Sequence, residues 1–263
     1  MKYCRFSTPQ GPKYGRVETV NGTEQITAIA TGVELPDFSA ARAIAPQALD
    51  STTLLAPVVP SKIVCVGRNY AEHAKEFGNE PPPDLIIFLK SPTSLLAPGA
   101  NIVRPAKLSQ RVDFEGELAA VIAKKCHKLA DNADVRPYIA GYTCSNDVTA
   151  RDLQRKDGQW TRGKSFDTFC PVGPVVSDEV DPWAGVAVET RVNGEVKQSG
   201  NTTDFIFPMD VIIRFIAQVM TLLPGDLIMT GTPAGVGFLV AGDQVSVSIP
   251  GIGALTNPVV DGD

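Results

Sequence analysis

Short apolar runs, rich in β-branched residues and bounded by glycine or proline, recur along most of the chain. They cover residues 62–67, 85–89, 118–122, 186–192, 226–230 and 244–249. Runs of this length and composition are typical of β-strands. The turn signal Asn193-Gly194 between two of them predicts a β-hairpin, because Asn-Gly accepts the positive φ angles of a type I′ turn. These runs predict a mostly β fold.

Helical spacing of apolar residues is limited to a few segments. It is found at residues 70–77, 134–140, 149–156 and 208–220. Apolar residues three and four positions apart form one face of a helix. We therefore predict a few helices set among many strands.

The first part of the chain has its own pattern of short alternating runs around Asn21-Gly22, and it ends in the Pro- and Ala-rich residues 56–60. A different, strongly apolar run begins directly afterwards. Breaks of this kind mark domain boundaries. We predict a small β-rich N-terminal domain over residues 1–58 and a catalytic domain over residues 59–263.

Charge and hydropathy narrow the range of partners. The chain has 263 residues, a formal net charge of −5 and a pI near 5.2. Nucleic acids and anionic membranes are bound by clustered Lys and Arg, so neither is expected, and a small-molecule partner is favoured. No run reaches the roughly 18 apolar residues of a membrane span, and the start has no signal-peptide pattern. A cytoplasmic location is expected.

The five cysteines are scattered and form no CxxC pair. Structural zinc sites and disulfide frameworks need regular cysteine spacing. We predict that these cysteines are mostly buried thiols.

Glu115 and Glu117 open an apolar run and are separated by one residue. On a strand both carboxylates point to one face, whereas Asp113 is predicted on the opposite face. Like charges at the edge of a core repel unless a cation neutralises them, and carboxylate ligands favour Mg²⁺, Mn²⁺ or Ca²⁺. The same spacing also fits the solvated face of an edge strand. Asp147, a further acidic candidate, could equally be a helix N-cap.

Two further segments carry candidate catalytic groups. His73 precedes Glu76 by three residues on a predicted helix, so the carboxylate can orient the imidazole, although a surface pair has the same spacing. Lys164 lies among aromatic residues in a segment that could meet an anionic substrate, or it is simply exposed. The glycine-rich residues 231–237 lack the spacing of a nucleotide-binding loop. His127, among lysines, is expected on the surface.

Six motifs in this order resemble the fumarylacetoacetate hydrolase family and cover nearly everything after residue 60. They are Gly67-Arg-Asn-Tyr, Phe88-Leu-Lys, Asp113-Phe-Glu-Gly-Glu-Leu, Asn146-Asp-Val-Thr-Ala-Arg-Asp, Gly163-Lys-Ser-Phe-Asp and Thr230-Gly-Thr-Pro-Ala-Gly-Val-Gly. The resemblance implies a mixed β-sandwich roll that encloses a metal site, commonly in homodimers. The first segment is similar to the small N-terminal domain of longer bacterial members, not to the SH3-like domain of larger hydrolases.

The resemblance also implies roles for individual residues. Glu115, Glu117 and Asp147 match the metal ligands, with Mg²⁺ or Mn²⁺ as the expected ion and Ca²⁺ as another candidate. His73 and Glu76 match a water-activating pair on a lid. Lys164 matches the lysine that faces the substrate oxyanion. Arg151, Gln154 and Thr232 match substrate-contacting positions.

The implied activity is divalent-metal-dependent hydrolysis of a C–C bond in a small anionic 2-oxo acid of the acylpyruvate or fumarylpyruvate type, through a metal-bound enolate. Two enzymatic alternatives use the same enolate without water: decarboxylation of an oxaloacetate-like acid, and isomerisation or decarboxylation of the 2-hydroxyhepta-2,4-diene-1,7-dioate type. A non-catalytic, metal-stabilised binding protein is a third alternative.

Overall fold

The computed structural model of the protein describes residues 1–32, 35–76, 78 and 80–262. Its helices are α1 (Ala71–Glu76), α2 (Arg151–Asp157), α3 (Thr161–Lys164) and α4 (Met209–Val219). Its strands are β1 (Lys2–Phe6), β2 (Lys13–Val20), β3 (Thr23–Thr31), β4 (Asp37–Ala48), β5 (Leu54–Leu55), β6 (Ile63–Gly67), β7 (Ile86–Lys90), β8 (Leu95–Leu96), β9 (Ile102–Arg104), β10 (Val112–Phe114), β11 (Gly116–Ile122), β12 (Ile139–Asn146), β13 (Thr149–Ala150), β14 (Cys170–Ser177), β15 (Ala187–Val192), β16 (Glu195–Asn201), β17 (Leu227–Met229), β18 (Gly237–Phe238), β19 (Gln244–Ile249) and β20 (Gly253–Asp261). The predicted mostly β fold with a few helices is confirmed.

The described strands form three sheets. The largest has the order β4-β3-β2-β1-β14-β12-β11-β17-β6-β7, with β5 beside β1 and β8 beside β14. A five-stranded sheet follows the order β16-β15-β19-β20-β9, and a three-stranded sheet the order β13-β10-β18. Most pairs are antiparallel, but β6 pairs with β17 in parallel, which makes the large sheet mixed.

The centre of the large sheet is also the centre of the core. Every residue of β11 is buried, and β12 is buried from Gly141 onward. Helix α4 packs Ile212, Ile213 and Ile216 into the same apolar cluster as Leu118 of β11. Burying an aliphatic side chain of this size stabilises the fold by about 1.5–3 kcal/mol. The strand that carries Glu117 is therefore held firmly on both faces.

Strands β1 to β4, near the N-terminus, belong to the same large sheet as the strands after residue 59. Strand β1 pairs with β14 in the register Lys2 opposite Ser177 and Tyr3 opposite Val176. The hairpin turn between β2 and β3 places Asn21 at φ 51° and Gly22 at φ 80°. The domain division at residue 58 stays a prediction, since this sheet runs across it.

Two of the predicted helices need correction. Residues 134–140 form a single 3₁₀ turn, Arg136–Tyr138, and the chain then enters β12 at Ile139, because that strand is paired on both sides by β11 and β14. Within residues 149–156, the first two form strand β13, and α2 begins at Arg151. Helix α1 lies where predicted, but Phe77, the expected end of that segment, is outside the described residues, as is Asp263 at the end of the predicted catalytic domain.

Several smaller predictions are confirmed. Asn193 and Gly194 adopt positive φ angles in the turn between β15 and β16, and α4 spans almost the whole predicted segment. All five cysteines are buried, and none of them forms a disulfide bond. Among the described residues, no helix is both long enough and apolar enough to cross a membrane.

Candidate active site

Three carboxylates converge beside the buried centre of the large sheet. Glu115 lies between β10 and β11, Glu117 is on β11, and Asp147 follows β12. The Asp147 N–H donates to the Glu115 carbonyl at 2.8 Å, and this bond brings the two chain segments together. One carboxylate oxygen from each of the three residues lies within 4.8 Å of the others. Their exposed fractions are 4%, 2% and 1%, so the solvated-strand alternative is wrong.

Asp147 is not a helix cap. The N-cap position of α2 is Ala150, and no side chain caps that helix. The Asp147 carboxylate instead accepts from Lys164 Nζ at 2.5 Å and from Lys90 Nζ at 2.7 Å. Lys164 Nζ also donates to Glu115 Oε2 at 2.6 Å. Lys164 is 2% exposed, which makes the alternative of an exposed lysine wrong.

Lys90 is a site residue that the sequence reasoning missed. It ends β7, is 1% exposed, and donates to the Val148 carbonyl at 3.2 Å as well as to Asp147. A lysine at a strand end ordinarily extends its ammonium group into solvent. The available signal was its place in the motif Phe88-Leu-Lys.

Arg151 connects two acidic residues. Its Nε donates to Asp113 Oδ2 at 2.8 Å, its Nη2 bonds to Glu115 Oε1, and its Nη1 donates to Gln154 Oε1 at 2.7 Å. Asp113 and Glu115 therefore share one guanidinium, and the prediction that Asp113 points to the opposite face is wrong. Strand alternation itself places residues two apart on one side.

The carboxylates of Glu115 and Glu117 differ in their electrostatic surroundings. Burial favours the neutral form of Glu115, but Lys164 and Arg151 outweigh it and hold its pKa below the ordinary value. Burial, followed by the charges of Asp147 and Glu115, raises the pKa of Glu117 well above its ordinary value. Glu117 accepts the Gly231 N–H at 2.9 Å and has no ion pair among the described residues. The charge of Lys164 and the Gly231 N–H therefore offset the negative charge at Glu117 only in part.

His73 and Glu76 form the predicted pair on α1. His73 Nδ1 lies 3.2 Å from Glu76 Oε2, and the other Glu76 oxygen accepts the Gly235 N–H at 3.2 Å. Burial lowers the pKa of His73 and outweighs the opposing effects of Glu115 and Glu76. Burial therefore favours the neutral form of the imidazole. Its partner carboxylate assigns the ring proton to Nδ1 and the lone pair to Nε2.

The glycine-rich turn, residues 231–237, is hydrogen-bonded to strands β11 and β16. Thr232 Oγ1 donates to the Gly116 carbonyl at 2.8 Å and accepts from Gln198 Nε2 at 2.7 Å. Gln198 Oε1 in turn accepts the Gly116 N–H at 2.9 Å. Gln198, on β16, was not predicted, because its link to Gly116 depends on how separate sheets pack.

A cavity of about 450 Å³ brings these groups together. Eight of the nine predicted site residues line it, namely His73, Glu115, Glu117, Asp147, Arg151, Gln154, Lys164 and Thr232. Glu76 does not line the cavity but contacts His73. The remaining wall includes Arg68, Arg155, Phe88 and Trp160, and the Lys164 ammonium lies 5.1 Å from the centre of the Phe88 ring.

The three carboxylates fit a divalent cation. They supply oxygen ligands only, and one oxygen of each residue lies within 4.8 Å of the other two. One of them, the buried carboxylate of Glu117, has no ion pair among the described residues. Oxygen ligands of this kind suit Mg²⁺, Mn²⁺ or Ca²⁺. A cation would offset the burial and the repulsion by Asp147 and Glu115 that raise the pKa of Glu117. Among the described residues, no histidine or cysteine joins the cluster.

The family described as Fumarylacetoacetate (FAA) hydrolase C-terminal matches residues 62–260, and one described as Rv2993c-like, N-terminal matches residues 1–57. Protein Rv2993c of Mycobacterium tuberculosis is 52% identical over 214 residues, 81% of this chain and 80% of that protein. Human mitochondrial oxaloacetate tautomerase FAHD2A is 41% identical over 291 aligned positions, 99% of this chain and 92% of that protein.

Among solved structures, that of a 2-hydroxyhepta-2,4-diene-1,7-dioate isomerase from Mycobacterium marinum covers 99% of this chain and 98% of its own. The TM-score is 0.87 and the sequence identity 44%. Family match, sequence similarity and fold agree with the order of motifs in the sequence. The chain is therefore an enzyme of the fumarylacetoacetate hydrolase family.

Proposed function

We propose that this enzyme moves a proton between the keto and enol forms of a small anionic 2-oxo acid. The observation that carries the proposal is a buried, carboxylate-oriented His73 in the same 450 Å³ cavity as three buried carboxylates and Lys164. A general base, a cationic partner for a developing oxyanion and a set of cation ligands are the components that enolisation requires.

Glu115, Glu117 and Asp147 would hold the divalent cation. When bound, such a cation supplies Lewis-acid polarisation of an oxygen of the substrate. The remaining chemistry belongs to the side chains. His73 Nε2 accepts the proton from the carbon next to the keto group, and Glu76 stabilises the imidazolium that forms. The imidazolium then gives a proton to the enolate oxygen, which completes the enol and restores the neutral base.

Lys164 and Arg151 supply positive charge in the same cavity. Both are buried, and both are bonded to Glu115. Although burial alone would lower the pKa of Lys164, Asp147 and Glu115 raise it, so its ammonium stays charged. Lys164 would stabilise the enolate oxygen, and Arg151 with Gln154 would contact the carboxylate of the substrate.

The names of two relatives support proton transfer. The human relative is named an oxaloacetate tautomerase and the structural relative an isomerase. Both names denote a rearrangement within one molecule. Fold likeness alone does not determine the reaction, so the proposal depends on the site residues as well.

Hydrolysis of a C–C bond in an acylpyruvate is the second candidate, and the His73–Glu76 pair favours it. The same imidazole could take a proton from a water molecule that attacks the distal carbonyl, which would release pyruvate. Decarboxylation of an oxaloacetate-like acid would need the enolate-stabilising groups without the base. The three reactions differ in their products and in their dependence on His73.

The test follows two signals for wild type and for His73→Ala. Ultraviolet absorbance reports enol loss from oxaloacetate, and a coupled assay reports pyruvate release from oxaloacetate, acylpyruvates and fumarylpyruvate, each with Mg²⁺, Mn²⁺ or a chelator. The matched control is His127→Ala, since His127 is exposed and outside the cavity.

Chelator-sensitive enol conversion that is lost in His73→Ala and kept in His127→Ala supports the proposal. Pyruvate release from acylpyruvates with the same His73 dependence would instead establish the hydrolase. Pyruvate release from oxaloacetate that survives in His73→Ala would establish the decarboxylase. Cation binding without any turnover would contradict all three.

A further inference from the structure

Arg68 is a cavity residue that none of the steps above uses. It lies in the bend between β6 and α1, is partly buried, and lines the same cavity as Glu115 and Lys164. Its side chain makes no hydrogen bond or ion pair with any residue of the described ranges. Arg151 and Lys164, in contrast, are each bonded to two carboxylates. Arg68 therefore presents uncompensated positive charge to the cavity.

The backbone at Arg68 is held in an unfavourable conformation. Its φ angle is +56°, in the left-handed region where a side chain with a β-carbon is disfavoured. Strain of this kind persists only where the surrounding structure fixes it, and it is concentrated at functional sites. A glycine would remove the strain, so the arginine side chain is the feature that needs an explanation.

Asn69 fixes this conformation. It is fully buried, and its Nδ2 donates to the carbonyls of Thr230 at 2.9 Å and Phe207 at 3.2 Å. Its Oδ1 accepts the Phe207 N–H at 2.8 Å, and its own carbonyl accepts the Ile206 N–H at 2.8 Å. These four bonds anchor the bend to the segments around α4 and the glycine-rich turn.

The neighbouring residue on the other side is anchored by packing. A β-carbon at Gly67 would lie 2.7 Å from the Trp160 ring, so this strand end is in close contact with the cavity wall. Arg68 is thus fixed between Gly67 and Asn69. The backbone that carries the Arg68 side chain at the cavity is therefore held in place.

We propose that Arg68 binds a second carboxylate of the substrate and so makes the enzyme selective for 2-oxo dicarboxylates over 2-oxo monocarboxylates. The inference rests on the proposed function in one respect, namely that the 2-oxo end of the substrate binds at the three carboxylates. Guanidinium groups bind carboxylates through two parallel hydrogen bonds, and a partly desolvated, unpaired guanidinium binds them more strongly than an exposed one.

The experiment measures binding by calorimetry in saturating Mg²⁺ with pairs of 2-oxo acids of equal carbon number that are predominantly in the keto form. The dicarboxylates are 2-oxoglutarate, 2-oxoadipate and 2-oxopimelate, and their monocarboxylate partners are 2-oxopentanoate, 2-oxohexanoate and 2-oxoheptanoate. The variant is Arg68→Asn, because asparagine tolerates the left-handed region and carries no charge. The control is Arg42→Asn, which removes the same charge from an exposed position on β4.

Wild type and Arg42→Asn should bind at least one dicarboxylate about tenfold more tightly than its partner, which corresponds to about 1.4 kcal/mol. Arg68→Asn should lose this preference, with unchanged affinity for the monocarboxylate, and Arg68→Lys should keep part of it. Arg68→Gly should lose the preference too and should be at least as stable to heat as wild type, because the strain is gone.

Equal affinity for both members of every pair in wild type, or an undiminished preference in Arg68→Asn, would overturn the inference. Enol conversion is a separate measurement. A dicarboxylate preference that depends on Arg68 in a protein without enol conversion would leave this inference standing and remove the proposed function.

Discussion

The cavity has two parts that are held in different ways, which we call the floor and the rim. The floor consists of Glu115, Glu117, Asp147, Lys90 and Lys164, all at most 4% exposed and set on or beside the paired strands β7, β11 and β12 or the short helix α3. Ion pairs between 2.5 and 2.7 Å join Asp147 to both lysines and Glu115 to Lys164.

The rim consists of Arg68 and His73, which line the cavity, together with Glu76, which contacts His73 from outside it. The two catalytic candidates lie on α1, a helix of six residues, and the Glu76 side chain is 30% exposed. A helix this short is not stable by itself. The bond from the Gly235 N–H to Glu76 is the connection that ties this pair to the glycine-rich turn. The floor should therefore govern stability and cation binding, whereas the rim should govern rate and selectivity.

Lys164→Met should have the largest effect on stability and activity, because it removes two buried ion pairs of the floor. It leaves Glu115 and Asp147 without a shared ammonium, and removing one partner of a buried ion pair costs about 3–5 kcal/mol. Urea unfolding in a chelator measures this loss, and the enol assay should show an activity loss of about 10²–10³-fold. The control is Lys75→Met, whose ion pair with Glu72 is exposed. Equal stability of the two variants would contradict a floor held by ion pairs.

His73→Ala should separate rate from stability at the rim. Loss of a general base lowers the rate by about 10²–10⁴-fold. The free energy of unfolding should change by only about 1 kcal/mol, since the side chain lies on a short helix at the cavity. Steady-state kinetics and urea unfolding of the same samples give both values. A loss of stability as large as that of Lys164→Met would show that the rim is part of the folded core.

Glu117→Gln should abolish the response of stability to a cation. In wild type, a cation at 100 times its dissociation constant should stabilise the fold by about 2.7 kcal/mol. The variant should be at least as stable as wild type in a chelator, because it removes a carboxylate that Asp147 and Glu115 repel. It should gain little from Mg²⁺. Glu76→Gln at the rim is the matched control, and its melting temperature should rise with Mg²⁺ as in wild type.

The sequence predicted contacts between residues that are close in the chain better than contacts between distant ones, for a physical reason. Glu115 and Glu117 are close in the chain, so strand geometry alone could place their carboxylates together. The spacing could not exclude a solvated strand, and Asp147 could not be distinguished from a helix cap without the resemblance to a family. Lys90 is separated from Asp147 by 57 residues, and their bond depends on sheet topology.

The strand pattern predicted the fold well where each strand is buried or turns at Asn-Gly. It failed at residues 134–140, where pairing with two neighbouring strands overrides a weak helical pattern. The conformation of Arg68 has no signal in its own residue type. It results from the four hydrogen bonds of Asn69, which are long-range, and only a structure provides them.

The pH profile should show the smallest effect and tests the rim alone. Because burial lowers the pKa of His73 from 6.5, the folded protein binds fewer protons at this site than the unfolded chain does. The corresponding stability is fully present above pH 6.5 and is lost as the pH falls through the lowered pKa. The same imidazole must be neutral to accept a proton, so kcat/KM should stay level from neutral pH down to 6.5 and decline only below it. Saturating Mg²⁺ at every pH separates this decline from loss of the cation, and the residual activity of His73→Ala should lack it. A decline that begins above pH 6.5 would contradict the lowered pKa of His73, and a decline that persists in His73→Ala would show that another group causes it.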